Sequence, residues 1–270
     1  MGGWLLLIPP SESKKTPPNG NANYPDIRRD KKRNSFPELD VARDVLISQL
    51  IAAIDRGTGL DRLFEMTGET LGEAIAWNRL LPNAPTAAAR DLYSGVMYEA
   101  IDFGTLKMAE KKLFDKNALI ISGLFGLLRP SDWIPAYKLK IGANLGGAVG
   151  KVAHFWRRPV SELLRRELRG KIVWDFLPDQ HRRVWDSTGE VVAHHQVKFV
   201  KRIIRSGVAE YKTISHHSKA LKGSLIRHLL AKNAESPKDL HDFVHPDGYS
   251  YNRELSVNSK RESTLVFAAD

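Results

Sequence analysis

Two short, wholly apolar runs, each cut off by residues that stop a regular element, most restrict what this chain can become. WLLLIPP (residues 4–10) ends on two prolines, and ALIISGLF (118–125) runs into Gly123 and Gly126. Unbroken apolar runs of this length predict strands buried in a sheet. Further strands are predicted at KIVWDFL (171–177), GEVVAHHQVKFVKRI (189–203) and YKTISHHS (211–218). Helical spacing between them, with Val41, Val45, Leu46, Leu50 and Ile54 on one stripe and Gly57 as its stop, predicts helices over 40–57 and 61–81. Others are expected over 105–117, 159–170 and 218–233. Helices and strands interleave without a regular βα repeat. The expected class is therefore α+β or irregular α/β: one compact domain over 1–270, a mixed sheet, flanking helices and a basic cleft.

Composition narrows the function more than the fold. The chain has no cysteine, which excludes disulfides and thiolate metal sites, and no run approaches the ~20 apolar residues of a membrane span. The start lacks a basic stretch ahead of its five-residue apolar run, so no signal peptide is read there and a cytoplasmic protein is expected. The net charge of +10 is lopsided. Residues 194–232 hold nine lysines and arginines against one carboxylate, and 151–183 hold nine against four. That asymmetry, interleaved with Trp156, Tyr211 and histidines, favours a nucleic-acid partner over a plain solvated face.

The polar stretch 11–38 is predicted to be a long mobile loop, and its cluster RRDKKR (28–33) either reaches for phosphate or is a solvated tip. The two helices within 61–81, joined around Thr67 and Gly68, are either a helix-hairpin-helix or a plain helical corner. No phosphate loop, dinucleotide fingerprint, nucleophile elbow or HExxH occurs. His194, His195, His216 and His217 form two adjacent pairs; on strands such neighbours point to opposite faces, so neither pair alone holds a metal. Neither a metal nor a cofactor is expected.

SGLFGLLRPSDWIPAYKLKIG (122–142) follows a predicted strand, where sheet proteins commonly bind ligands. In one reading Arg129 and Lys138 supply charge, Tyr137 a stacking or hydrogen-bonding surface, and Asp132 holds Arg129 or another cation. In the other, Arg129 and Asp132 are an ion pair that locks a turn. Elsewhere, Trp156 beside Arg157 either combines stacking with charge or is a core tryptophan. Ser218 reads as the N-cap of a helix whose first turn carries Lys219 and Lys222, which is either a phosphate-binding pattern or a solubilising helix face. If the chain is an enzyme, Asp132, Asp175 and His181 are its acid–base candidates, His181 by its ordinary pKa near 6.5.

LLLIPPSESK, YSGVMYEAID, SGLFGLLRPSDWIPAYKLKIG, FW at 155–156 and ISHHSKALKGSLIRHLL together, in this order, resemble the YaaA peroxide-stress family, including its actinobacterial branch. The resemblance implies a compact α/β domain of unusual topology, a basic cleft, binding of double-stranded and distorted DNA, and protection against peroxide. No reaction is firmly attached to the family, and some relatives look like enzymes of modified-nucleobase pathways. Ser11, Lys14, Tyr93, Tyr98, Ser122, Arg129, Asp132, Tyr137, Lys138, Lys219 and Lys222 fall within the matching motifs. The partner so implied is DNA, with a nucleotide-like small molecule as the alternative. WDFLPDQHRRVW departs from the pattern with Pro178 and His181, and the segment 14–35 is longer than in shorter relatives.

Overall fold

The apolar run at the start of the chain becomes the middle of a sheet. A computed structural model describes residues 3–17, 22–27, 30, 32–185, 190–205, 208–213, 217–259 and 261–269. Its strands are Trp4–Ile8 (β1), Thr86–Ala88 (β2), Ala118–Ser122 (β3), Gly126–Leu128 (β4), Trp133–Pro135 (β5), Ile172–Asp175 (β6), Ala193–Arg205 (β7), Val208–Lys212 (β8), Ser250–Tyr251 (β9), Val257–Asn258 (β10) and Glu262–Ala269 (β11). Its helices are Tyr24–Ile27 (α1), Asp40–Arg56 (α2), Leu60–Phe64 (α3), Gly68–Leu80 (α4), Ala89–Leu92 (α5), Val96–Ile101 (α6), Met108–Asn117 (α7), Val152–Leu168 (α8), Asp179–Arg182 (α9) and His217–Lys232 (α10).

The main sheet runs β10-β11-β7-β6-β1-β3-β4, with β8 on β7 and β9 on β11, while β2 and β5 form a small antiparallel pair. The five strands β11, β7, β6, β1 and β3 are parallel to one another. Every position of β1 and of β3 is buried, which is why neither alternates in sequence. This is a single compact α+β domain. From β1 the chain goes to β3 on one edge; later it returns through β6 on the other edge and builds outward through β7 and β11. The loops leaving β1 and β6 therefore part at a topological switch, the place where open parallel sheets present their loops to ligands.

Local sequence explains most elements and misses a few. Leu46, Leu50 and Ile54 of α2 are buried as expected, and Gly57 ends it in the left-handed region (φ 70). Val41 and Val45, expected on the same stripe, are 77% and 39% exposed; the helix instead buries Arg43 and Ile47. The helix expected to open at Pro159 begins at Val152 and carries Pro159 inside it. Within 11–38, Ser11, Tyr24, Ile27, Asn34 and Phe36 are buried, and Tyr24–Ile27 is helical. Arg28, Arg29 and Lys31 of the basic cluster lie outside the described residues.

Beyond Lys201, β7 runs past both its sheet neighbours. Pairing with β6 ends at Gln196 and with β11 at Lys201, and from Lys201 to Arg205 its partner is β8. Every residue of β8 is exposed. The result is a two-stranded ribbon on the carboxyl side of the parallel strands.

Candidate functional site

Lys14 is held by its backbone before its side chain does anything. It bridges Tyr93, the Lys15 amide donates to the Leu92 carbonyl (2.8 Å), and the Ser94 amide donates to the Ser13 carbonyl (3.0 Å). This fixes the loop after β1 against the turn between α5 and α6. The Lys14 amine then donates to the Ser11 carbonyl at 2.8 Å and lies 4.0 Å from the centre of the Tyr137 ring and 5.3 Å from that of Tyr93. Among the described residues no carboxylate comes within ion-pair distance of it. Burial first, and the charge of Lys138 second, pull its pKa down to about 7 against the opposing pull of Glu12.

Under the amine, three hydroxyls join in a row. Ser122, the last residue of β3, bonds Tyr137 (2.7 Å), and Tyr137 bonds Tyr93 (2.9 Å). Ser122 Oγ also accepts the Phe125 amide at 3.0 Å. Burial pushes the Tyr137 phenol up to about 12, with the bonds from Ser122 and Tyr93 opposing, and burial raises Tyr93 and Tyr98 as well. These tyrosines remain neutral. Tyr98 closes the floor by donating to the Pro9 carbonyl (2.9 Å). Gly95 is required here, because a Cβ on it would lie 2.3 Å from Ser11 Oγ. A recess of about 290 Å³ opens beside the Lys15–Leu92 pairing; Trp133 and Asp91 help to line it, and the Lys14 amine does not.

A second polar group sits at the end of β6. Asp175 is fully buried and accepts from the Leu177 amide (2.8 Å), Arg182 Nε (2.7 Å) and His194 Nε2 (3.1 Å). Burial opposes its charge, but the His194 bond and the Arg182 charge prevail and hold its pKa below the usual range. Lys222 reaches from α10 to the Phe176 carbonyl (2.8 Å), and burial, then Arg182, lower its pKa to about 8. His181 is lowered to about 4 by burial and by Lys222, and its Nδ1 is buried without a hydrogen-bond partner among the described residues. A neutral imidazole at pH 7 follows. His181 is thus a poor acid at that pH, and Asp175 is an anchor for Arg182 and His194.

The 122–142 stretch divides its work differently from the expectation. Asp132 does not pair with the Arg129 guanidinium: its Oδ2 accepts the Arg129 amide (2.8 Å), and its Oδ1 accepts the Ser35 amide (3.0 Å) and hydroxyl (2.5 Å). Arg129 instead bonds Glu167 and the Lys116 carbonyl, both at 2.6 Å. The part-buried Ser35 and Arg129 amides take Asp132 as their acceptor, and the guanidinium finds its own in Glu167 and the Lys116 carbonyl. Of the two readings of Trp156, a stacking platform or a core residue, the structure takes the second: it is fully buried, donates to the Gly123 carbonyl (2.8 Å) and packs under Gly126. Arg157 and Lys219 are exposed on α8 and α10, and Lys138 lies 5.0 Å from the Trp77 ring.

The expected strand over 211–218 ends at Lys212; His217 and Ser218 belong to α10, so Ser218 lies inside the first turn rather than capping it. His216 is outside the described residues. His194 bonds Asp175, His195 leans on Trp174, and His217 bonds Asp247. Among the described residues no three metal-binding side chains converge. Arg43 is a position that sequence reasoning missed: buried in α2, it donates to the Phe125 and Leu127 carbonyls (3.0 Å each) and to Asn34 (2.8 Å). Its place among apolar residues at helical spacing was the one available signal.

The molecule is thus an α+β sheet protein in which half-buried lysines and buried tyrosines gather at the carboxyl ends of the central strands. Its residues 4–255 match the family described as Peroxide stress protein YaaA, and the chain belongs to that family. It is similar to UPF0246 proteins of Corynebacterium efficiens (32% identical, covering 97% of this chain and 98% of that one), Corynebacterium glutamicum (30%, 97% and 99%) and Streptomyces coelicolor (29%, 97% and 96%).

Proposed function

We propose that this protein binds double-stranded DNA and that the β7–β8 ribbon is the element that docks. The observation that carries this reading is the placement of charge on the ribbon. Lys201 stands directly opposite Lys212, and Arg202 directly opposite Tyr211. Like charges facing each other across a ladder destabilise it unless an anion sits nearby; Glu210 of β8 lies 3.7 Å from Lys212 and offsets part of this, leaving Lys201 and Arg202 for phosphate. Lys198, Lys201, Arg202 and Lys212 are all exposed. A two-stranded ribbon fits the ~12 Å major groove of a duplex. Phosphate binding of this kind sets position without reading bases, in keeping with a role in peroxide defence that protects DNA generally.

The test is duplex binding between about 50 and 200 mM salt. Affinity is expected to fall linearly on logarithmic axes, and replacing Lys201, Arg202 and Lys212 together by alanine should flatten the slope by roughly 0.9 for each phosphate no longer neutralised. Absence of binding at low salt, or an unchanged slope in the triple variant, rejects the reading.

The Lys14 cluster supports a second reading, an enzyme acting on a nucleobase, nucleotide or modified DNA base. A half-buried lysine against neutral phenols is a reactive arrangement rather than a stabilising one. Nucleosides and nucleotides that raise the melting temperature of the wild type but not of Lys14→Met would support it; no response to any of them would remove it.

A further inference from the structure

We propose that Lys14 condenses through its side-chain amine with the aldehyde of a phosphorylated sugar to form an imine, with the Ser122–Tyr137–Tyr93 hydroxyls assisting the loss of water. The backbone on both sides of Lys14 is tied to residues 92–94, so the amine is delivered to one place. There its hydrogen-bond acceptors are carbonyl oxygens, of Ser11 at 2.8 Å and Glu12 at 3.5 Å, rather than a carboxylate. Such acceptors do not hold an amine permanently charged. Its depressed pKa gives a substantial free-amine fraction at neutral pH, as imine formation requires.

The hydroxyl row supplies the remaining part. Ser122, Tyr137 and Tyr93 carry three hydroxyl protons, and two hydrogen bonds join them. Ser122 also bears on the Tyr93 phenol, so the three hydroxyls form one connected group through which a proton can be relayed towards an oxygen bound beside the amine. The chemistry balances without any oxidant or reductant. The Nζ lone pair bonds to the carbonyl carbon, the π pair moves to oxygen, and one amine proton passes to that oxygen, giving a carbinolamine. The remaining N–H proton then leaves with the hydroxyl as water, and C=N forms. Tyrosines that stay neutral are suited to handing a proton along and to hydrogen-bonding the departing oxygen.

Lys138, only loosely paired with Glu73 at 3.9 Å, opposes a second charge at Lys14 and favours a substrate that brings an anion with it. The shared chemistry is therefore an open-chain sugar aldehyde carrying phosphate. Two sources offer it: an abasic site in a duplex, which rests on the DNA reading above, and a free sugar phosphate, which does not.

The experiment reduces such imines in place. The full chain is incubated with cyanoborohydride and, in separate arms, a duplex with one abasic site, deoxyribose 5-phosphate, or an intact duplex, and the adducts are mapped by mass spectrometry. The expected result is an adduct at Lys14 in at least one aldehyde arm, about tenfold above any other lysine. It should rise through pH 7 and be lost in Lys14→Arg, which keeps the charge and must be shown to melt like the wild type. Labelling spread equally over surface lysines, labelling unchanged in Lys14→Arg, or none in either aldehyde arm overturns the proposal. Binding of the intact duplex is measured separately. Duplex binding without any adduct rejects the imine and leaves the DNA reading; labelling by the sugar phosphate without duplex binding does the reverse.

Discussion

Asp132 meets Arg129 through the backbone alone: its Oδ2 accepts the Arg129 amide at 2.8 Å while the guanidinium pairs with Glu167 at 2.6 Å. Asp132 also takes both the amide and the hydroxyl of Ser35, so it ties the stretch after β4 to the segment that precedes α2. The two side chains that look like a pair in sequence therefore do separate jobs, and their removal should have separate effects. Asp132→Ala leaves two amides and a hydroxyl without an acceptor and should cost about 2–3 kcal/mol or more in urea unfolding. Arg129→Ala removes a partly exposed ion pair and should cost roughly 1 kcal/mol. The reverse ranking would mean that the turn is held by the guanidinium after all.

Arg43 should be intolerant of change even to leucine. It satisfies two backbone carbonyls at the β3–β4 turn from inside α2. Removing it strands those carbonyls and deprives Asp40 of its cation, for an expected destabilisation of about 3–5 kcal/mol. Chemical denaturation of Arg43→Leu and Arg43→Lys checks this, lysine being unable to span both carbonyls.

Gly95 and Ser11 should behave as a coupled pair. Gly95→Ala puts a methyl 2.3 Å from Ser11 Oγ but an ordinary 3.5 Å from its Cβ. The single change is expected to destabilise by about 1–3 kcal/mol. Adding Ser11→Ala removes the offending atom and should restore most of that stability, a coupling that a double-mutant cycle reads directly. Additive effects would place the crowding elsewhere.

Lys14 should leave a pH signature on stability. Its folded pKa, about 7, lies below its ordinary 10.5. Between those values the unfolded chain holds a proton that the folded chain lacks, so the wild type gains stability as pH rises from 7 to 10.5 and shows no such slope below 7. Measured against Lys14→Met, the difference in unfolding free energy should climb only within that window. A flat difference throughout would mean that the amine is charged in the fold.

Much of the sheet was legible because burial on both faces writes itself as an unbroken apolar run. Residues 4–8, 118–122 and 172–175 read this way and form the parallel centre. The strand 262–269 did not, since ESTLVFAA mixes small and polar residues and gains its strand character from pairing eight residues deep with β7. What the sequence does not carry is which of the candidate residues meet. Lys14, Tyr93, Ser122 and Tyr137 are far apart in the chain, and register and loop pairing, which no local spacing encodes, bring them together. Trp156 beside two arginines looked like a stacking platform, yet its indole is consumed by Gly123 and Gly126 on the inner side of α8.

The parallel pairing of β7 with β11 imposes an order of events during synthesis. His194 sits opposite Glu262, so the edge of β7 must wait for about 70 further residues, on the order of several seconds of translation at typical rates. Through that interval a thirteen-residue strand is made but unclosed on one side. Lys198, Lys201 and Arg202 lie along it, and charged side chains are what keep an open edge from recruiting a neighbouring nascent chain. The same cations that suit the ribbon to phosphate would thus act earlier as its guard against aggregation.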